Sequence, residues 1–364
     1  NDVRRFLEHL RSMSGVLLAS LFQLLTELPA QSRGYVMECV ATYLAILDAP
    51  SIAKTFAKVA HMLQQALATY HPSAHVPTPG KPEPNSPRYV PPVPHTMLDL
   101  FIVLVPYVHG ADAASLFDAC MHVLQVDDSG LQKKAYRALS RLLDGKDAAA
   151  LRARVGCAAL MSRYLELDVP PGAVRDRLAL FRTLVPHMPD DDLGTLAALV
   201  PEAVLGTKEA NQGAREEAYA LLVDMGHRMA RGGRINRAQA GTDAQDIVSA
   251  SVPEYVMMVA AGLAGASPRM IGASITALAR LLYEFHRALP DDMLTELLTT
   301  MLVYLESTNR EIVKASLGFC KVATLSLSPQ QIEQVLPSLV PALLQIRHVH
   351  KNHFKAQVRH LMER

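Results

Sequence analysis

Apolar residues recur at i, i+3, i+4 and i+7 along most of this chain, the spacing of helices with one core-facing stripe. The stretch LQKKAYRALSRLL at 131–143 shows it most cleanly. As a helix it puts Leu131, Ala135, Ala138, Leu139 and Leu142 on one broad face. Lys133, Arg137 and Arg141 recur every four residues on another face. Asp127 and Asp128 precede it, and Ser129 is the expected N-cap, its hydroxyl free to accept an orphan backbone N–H. Small Ala135 and Ala138 suit the close approach of a neighbouring helix.

The same reading predicts helices over 3–28 (broken near Ser14–Gly15), 33–47 and 51–70, the last capped by Ser51. Further helices are predicted over 96–109, 112–126, 129–144, 147–166, 172–187, 190–204 and 211–230. Six more follow over 244–263, 267–288, 291–306, 309–326, 329–346 and 348–363. No window alternates with period two long enough to predict a strand. Between 71 and 94 lie nine prolines. Proline lacks an N–H and disfavours helix at the residue before it, so an extended linker or surface loop is expected there. The predicted organisation is helical repeats over 1–70, a Pro-rich connection over 71–95, and a longer array over 96–364 with an inserted loop at 231–246.

Laying the helices over one another reveals a repeat. KKAYRALSRLL at 133–143 aligns with RDRLALFRTLV at 175–185, 42 residues on, and with EEAYALLVDMG at 216–226, 41 further. ASITALARLLY at 273–283 and KASLGFCKVAT at 314–324 are again 41 apart. The one irregular interval, 56 residues from Ala218 to Ser274, is accounted for by the polar, glycine-rich stretch at 231–246. Two helices per unit of about forty residues is the signature of HEAT or armadillo-type arrays. The predicted fold is therefore all-α, an α-solenoid of stacked antiparallel helix pairs, each unable to bury its apolar face alone.

Composition sharpens this picture in a few places. Half of the 364 residues are hydrophobic, aromatics are 5% and Trp is absent, which favours helix-on-helix packing. The net charge of +1 leaves no global field to mark nucleic acid or membrane as the partner. No apolar run approaches the roughly 20 residues of a membrane span, so no membrane association is expected. Cys39, Cys120, Cys157 and Cys320 are far apart with no CxxC, as expected of small core residues in a reducing compartment. The chain opens on Asn1, as expected of a piece of something longer.

Candidate chemistry is sparse. His348, His350, His353 and His360 cluster near the end, without a carboxylate or Cys at ligand spacing; solvated helix histidines are expected. Asp190, Asp191 and Asp192, like Asp291 and Asp292, follow a proline and are expected to open a helix, where acids complement the macrodipole. There is no HExxH, GxxxxGK[ST] or GxSxG, and no nucleophile paired with a base. No enzyme and no cofactor is expected. The informative feature is basic: Arg347, Lys351, Lys355 and Arg359 recur every four residues, opposite Phe354, Val358 and Leu361. As one continuous helical stripe, these cations would track a phosphate backbone. Lys133, Arg137 and Arg141 rank below them because Asp127, Asp128 and Asp144 partly offset their charge, as do the loop arginines Arg228, Arg231, Arg234 and Arg237.

LQKKAYRALSRLL at 131–143, GASPRMIGASITALARLLYEF at 265–285, NREIVKASLGFCKV at 309–322 and HFKAQVRHLMER at 353–364 resemble the ribosomal-RNA-processing protein twelve family. TMLDLFIVLVPYVHGAD at 96–112 and AREEAYALLVDMG at 214–226 fit in order, so the resemblance covers most of the chain. It implies a HEAT-repeat nucleolar scaffold of small-subunit ribosome assembly, without catalytic residues. Implied partners are pre-rRNA in the small-subunit precursor and ribosome assembly factors, with Ran and nucleoporins through support of nuclear export. Implied locations are the nucleus and nucleolus, with shuttling to the cytoplasm. The competing classes are a karyopherin-like nuclear transport receptor and a regulatory scaffold subunit of a phosphatase or kinase complex.

Overall fold

A computed structural model describes residues 2–72, 86–191, 193–236, 247–265, 267–349 and 353–363. The order is α1 (Asp2–Ser12), α2 (Ser14–Glu27), α3 (Gly34–Leu44), α4 (Ala49–Ala68), α5 (Val93–Leu104), α6 (Gly110–Val123) and α7 (Ser129–Leu143). Then come α8 (Ala148–Val155), α9 (Cys157–Leu165), α10 (Val174–Leu184), α11 (Gly194–Gly206) and α12 (Gln212–Ala230). A small antiparallel pair, β1 (Arg234–Asn236) and β2 (Ile247–Ser249), precedes α13 (Val252–Ala260) and α14 (Pro268–Phe285). The last helices are α15 (Asp291–Leu305), α16 (Arg310–Ser326), α17 (Pro329–Val349) and α18 (Lys355–Met362). The fold is all-α, of HEAT/armadillo-type stacked helix pairs.

The chain divides into two compact units, residues 1–156 with 167–183 and residues 157–166 with 184–364. In the first, α4 packs on α5, α5 on α7, and α6 on α7. Helices on both sides of the Pro-rich stretch therefore share one core. In the second, α12, α14, α16 and α18 pack in succession as one row. A second row, α11, α13, α15 and α17, backs it, each helix packing on the one that follows it in sequence.

Row helices are buried on more than their predicted stripe. Leu131, Ala135, Ala138, Leu139 and Leu142 are all buried in α7, but so are Gln132, Tyr136 and Leu143. The reason is geometric: α7 touches α5 beside it, α6 before it and α8 after it. In α14 the buried set runs Gly272, Ala273, Ser274, Ile275, Ala277, Leu278, Leu281, Leu282 and Phe285. Small residues on this helix let α16 lie close against it.

Several local expectations are corrected. The N-cap of α7 is Asp128, whose carboxylate accepts from the Leu131 N–H at 2.8 Å; Ser129 is the first helical residue. Likewise Asp48, not Ser51, caps α4, accepting from the Ser51 N–H at 3.0 Å. The single helix predicted over 147–166 is broken at Gly156, whose φ of +87° few L side chains adopt. In the segment predicted as helix over 244–263, the described residues begin with β2, and the α-helix is α13, followed by a 3-10 turn at Ala261–Ala264. Cys39 is exposed rather than in the core; Cys120, Cys157 and Cys320 are buried. Burial pushes the Cys120 and Cys320 thiols up to about 12. Among the described residues, no helix is long and apolar enough to cross a membrane.

The Asp128 cap is also a joint between repeats. Tyr70, just past α4, donates its hydroxyl to Asp128 Oδ2 at 2.6 Å, and His95 of α5 lies 3.5 Å from Oδ1. Burial pushes the Asp128 carboxyl up, but the hydrogen bonds from His95, Tyr70 and the Leu131 N–H outweigh it and hold it well below the usual carboxylate range. A group with a depressed folded pKa contributes stability above its unfolded value near 4, and that contribution fades as pH falls toward the folded one. Asp128→Ala is expected to destabilise the first unit by about 2 kcal/mol at pH 7, from a lost cap and a stranded tyrosine hydroxyl. Chemical denaturation from pH 7 to pH 3 checks this: the gap between wild type and variant should narrow as the pH drops.

Candidate nucleic-acid interface

The terminal basic residues do not form the single-helix stripe that their spacing predicts. Helix α17 ends at Val349 and α18 begins at Lys355. Four-residue spacing aligns side chains only within one continuous helix, and residues 353–354 form a turn; among the described side chains, Lys355 and Arg359 share a face of α18. Lys351 and His350 lie outside the described residues, as do the side chains of Arg347 and His348.

Helix α18 is seated as its pattern predicts. Phe354, Val358 and Leu361 are buried, and the helix packs on α16 and α17. Opposite that face, Lys355 is exposed and Arg359 is 74% exposed, with an ion pair to Glu363 at 2.7 Å. An exposed pair of this kind is worth under about 1 kcal/mol and yields readily to a phosphate. His353 and His360 are exposed, and no cluster of three metal-ligating side chains occurs among the described residues.

The second-rank candidates are mostly engaged within the first unit. Arg137 Nε donates to Asp176 Oδ1 at 3.0 Å, and an Arg141 guanidinium nitrogen donates to the Ile102 carbonyl at 3.2 Å. These bonds tie α7 to α10 and to α5. Lys133 is exposed and has no hydrogen bond or ion pair among the described residues.

Arg228 is the clearest departure from expectation. Rather than facing solvent from a loop, it lies at the end of α12, 1% exposed. Its guanidinium donates to the Met188 carbonyl at 2.9 and 3.1 Å, to the Gly232 carbonyl at 2.9 Å, and to the Asp190 carboxylate. Asp190 is thus the partner of a buried cation, not a helix-opening residue; α11 starts only at Gly194. Asp192 and Arg237 lie outside the described residues. The Asp190 carbonyl also accepts from the Arg234 N–H at 2.7 Å, which brings β1 against the turn before α11. Gly233, at φ +130°, makes that approach possible, since a Cβ there would meet the Asp190 carbonyl oxygen at 2.7 Å. Arg231 donates to the Pro186 carbonyl at 2.6 Å. By contrast Asp291 and Asp292 do open α15, where Asp292 accepts from the Met293 N–H at 2.9 Å.

Four-residue spacing of cations missed a larger basic surface in the second unit. Helix α16 exposes Arg310, Lys314 and Lys321 on one line, with exposed Gly318 between the lysines. The neighbouring line on α14 carries Arg269, Arg280 and Tyr283, and Arg287 follows just past its end. The side chains of Arg287, Arg310 and Lys321 make no hydrogen bond or ion pair among the described residues. Arg280 pairs with Glu284 at 3.2 Å, and Arg269 lies 3.5 Å from Glu209.

No family model matches the chain. Among curated proteins it is 31% identical over 376 residues to Ribosomal RNA-processing protein 12 of Saccharomyces cerevisiae, covering all of this chain and 29% of that protein. It is 30% identical over 269 residues to the RRP12-like protein of Homo sapiens, covering 73% of this chain and 20% of that protein. The chain thus spans less than a third of the length of these relatives. Among solved structures, a chain from a Kap95p–RanGDP structure covers 96% of this chain, with 42% of its own length, at 11% identity and a TM-score of 0.48. That likeness is too low to bear on partners.

The buried node gives a direct test. Arg228→Ala strands the Met188 and Gly232 carbonyls and is expected to cost about 2–4 kcal/mol. Asp190→Ala leaves the buried guanidinium with its carbonyl partners but without this carboxylate, and should cost less, about 1–2 kcal/mol. Urea denaturation of both variants checks the ratio.

Proposed function

Since this chain belongs to the ribosomal RNA-processing protein 12 family, we propose that it is a non-enzymatic scaffold of ribosome biogenesis. The observation that carries this reading is the similarity along the whole chain to a yeast rRNA-processing protein. Stacked helix pairs support it, since they offer long surfaces rather than a closed catalytic pocket. The particle is the small-subunit precursor, within which the chain contacts pre-rRNA and assembly factors in the nucleolus and supports maturation and export. Ran and nucleoporins are the partners proposed for the export step.

The terminal helix is one RNA contact in this reading. Its buried face fixes the orientation of α18, so Lys355 and Arg359 are held outward. Arg347 and Lys351 are the further cations proposed for the contact.

Sedimentation of the tagged protein from nuclear extract tests the assignment. Co-migration with small-subunit precursors and their rRNA is expected; migration with large-subunit precursors, or only as free protein, contradicts it. Lys355→Glu with Arg359→Glu should weaken binding of purified chain to structured RNA. Losing two phosphate contacts should reduce the slope of log K against log salt by about 1.4–1.8. An unchanged affinity and slope would remove α18 from the interface.

A further inference from the structure

We propose that the exposed lines of α14 and α16 form a binding surface for single-stranded RNA, with phosphates on Arg310, Lys314 and Lys321 and a base stacked on Tyr283. The inference rests on the ribosome-biogenesis reading above but uses a surface separate from α18.

Helices α14 and α16 lie side by side in close contact, so each exposes only a narrow line. On α16 that line is Arg310, Lys314, Gly318, Lys321 and Leu325. From Arg310 to Lys321 it runs about 16 Å at 1.5 Å per residue, room for several nucleotides. The acids on or next to these helices include Glu306 just before α16, Glu311 at its start, Glu284 held by Arg280, and Glu209 beside Arg269, against six cations. In a chain of net charge +1, this is a local concentration of one sign.

Two features of the line work against folding and are left unexplained by it. Arg269 and Arg310 sit in the first turns of their helices, where the macrodipole disfavours cations. Gly318 lies inside α16, where glycine costs about 1 kcal/mol relative to alanine. Nothing lies within 4 Å of where its Cβ would be, so no packing contact requires a glycine there. A ligand backbone passing between Lys314 and Lys321 does require it.

Tyr283 selects nucleic acid over an acidic peptide. It is 57% exposed, with the Arg280 guanidinium over its ring at 5.6 Å. A ring held in place by a cation and otherwise open to solvent is a stacking platform for an unpaired base. A carboxylate-rich peptide would use the cations and leave the ring idle. A duplex has no unpaired base to present to it.

The test is fluorescence anisotropy of a labelled 20-nucleotide unstructured RNA with the full chain, across a salt series. Lys314→Glu with Lys321→Glu is expected to weaken binding at least tenfold and flatten the salt slope. Tyr283→Ala should weaken it roughly five- to a hundredfold with the slope unchanged. Gly318→Leu, which has room in the fold, should keep the wild-type thermal melt and still weaken binding. Wild-type affinity in all three variants overturns the proposal. So does equal competition by poly-glutamate with no effect of Tyr283→Ala, or preference for duplex RNA. Purified components separate this outcome from the particle assignment: sedimentation with precursors can fail while this binding holds, and the reverse.

Discussion

Burial of each inner row helix on three sides is the constraint from which the rest of the structure follows. A helix such as α14 faces α12 and α16 along its row and α13 behind it. It meets that demand with buried Gly272, Ala273, Ser274 and Ala277 alongside buried Ile275, Leu278, Leu281 and Phe285. The consequence is functional as well as structural. Only a narrow line of each inner row helix, such as α14 or α16, reaches solvent, so whatever side chains occupy it are aligned by packing. Charges scattered in the sequence become ordered on the surface.

Polar joints sit where the repeat is interrupted. The two ends of the Pro-rich connection are held in the first unit by Tyr70, His95 and the Asp128 cap. In the second unit Arg228 ties Asp190 and Met188 to Gly232, where the chain leaves α12 for β1. Both joints spend buried or half-buried hydrogen-bonding groups on fixing where an insertion leaves and rejoins the helices. The packed rows can then continue past it: α4 still meets α5 across the prolines, and α12 still meets α14 across β1 and β2.

The fold was legible because its signal is repeated. The recurrence of about forty-one residues and the apolar stripe of 131–143 are enough to specify stacked helix pairs, and the stripe residues of α7 are buried. Caps were misassigned where two eligible residues adjoin: Asp128 and Ser129 both cap well, and only the turn geometry chooses. The loop arginines misled for a different reason. Arg228 looks like surface charge from composition, and its burial depends on carbonyls at Met188 and Gly232 that no local pattern reveals. At the candidate interface, the apolar face of α18 was readable from its spacing. The continuous stripe was not, because spacing reports alignment only while the helix lasts. Lys314 and Lys321 were hidden by the opposite effect, being seven residues apart and aligned by two full turns, with Tyr283 brought beside their row from another repeat.

Ultraviolet cross-linking of RNA to the protein in isolated precursor particles, with the attached peptides identified by mass spectrometry, tests the account most directly. The account predicts adducts concentrated on α14, α16 and α18, with Tyr283 among the modified residues. Adducts confined to the backing row α11, α13, α15 and α17, or a protein that enters the particle with no RNA adduct at all, would contradict it.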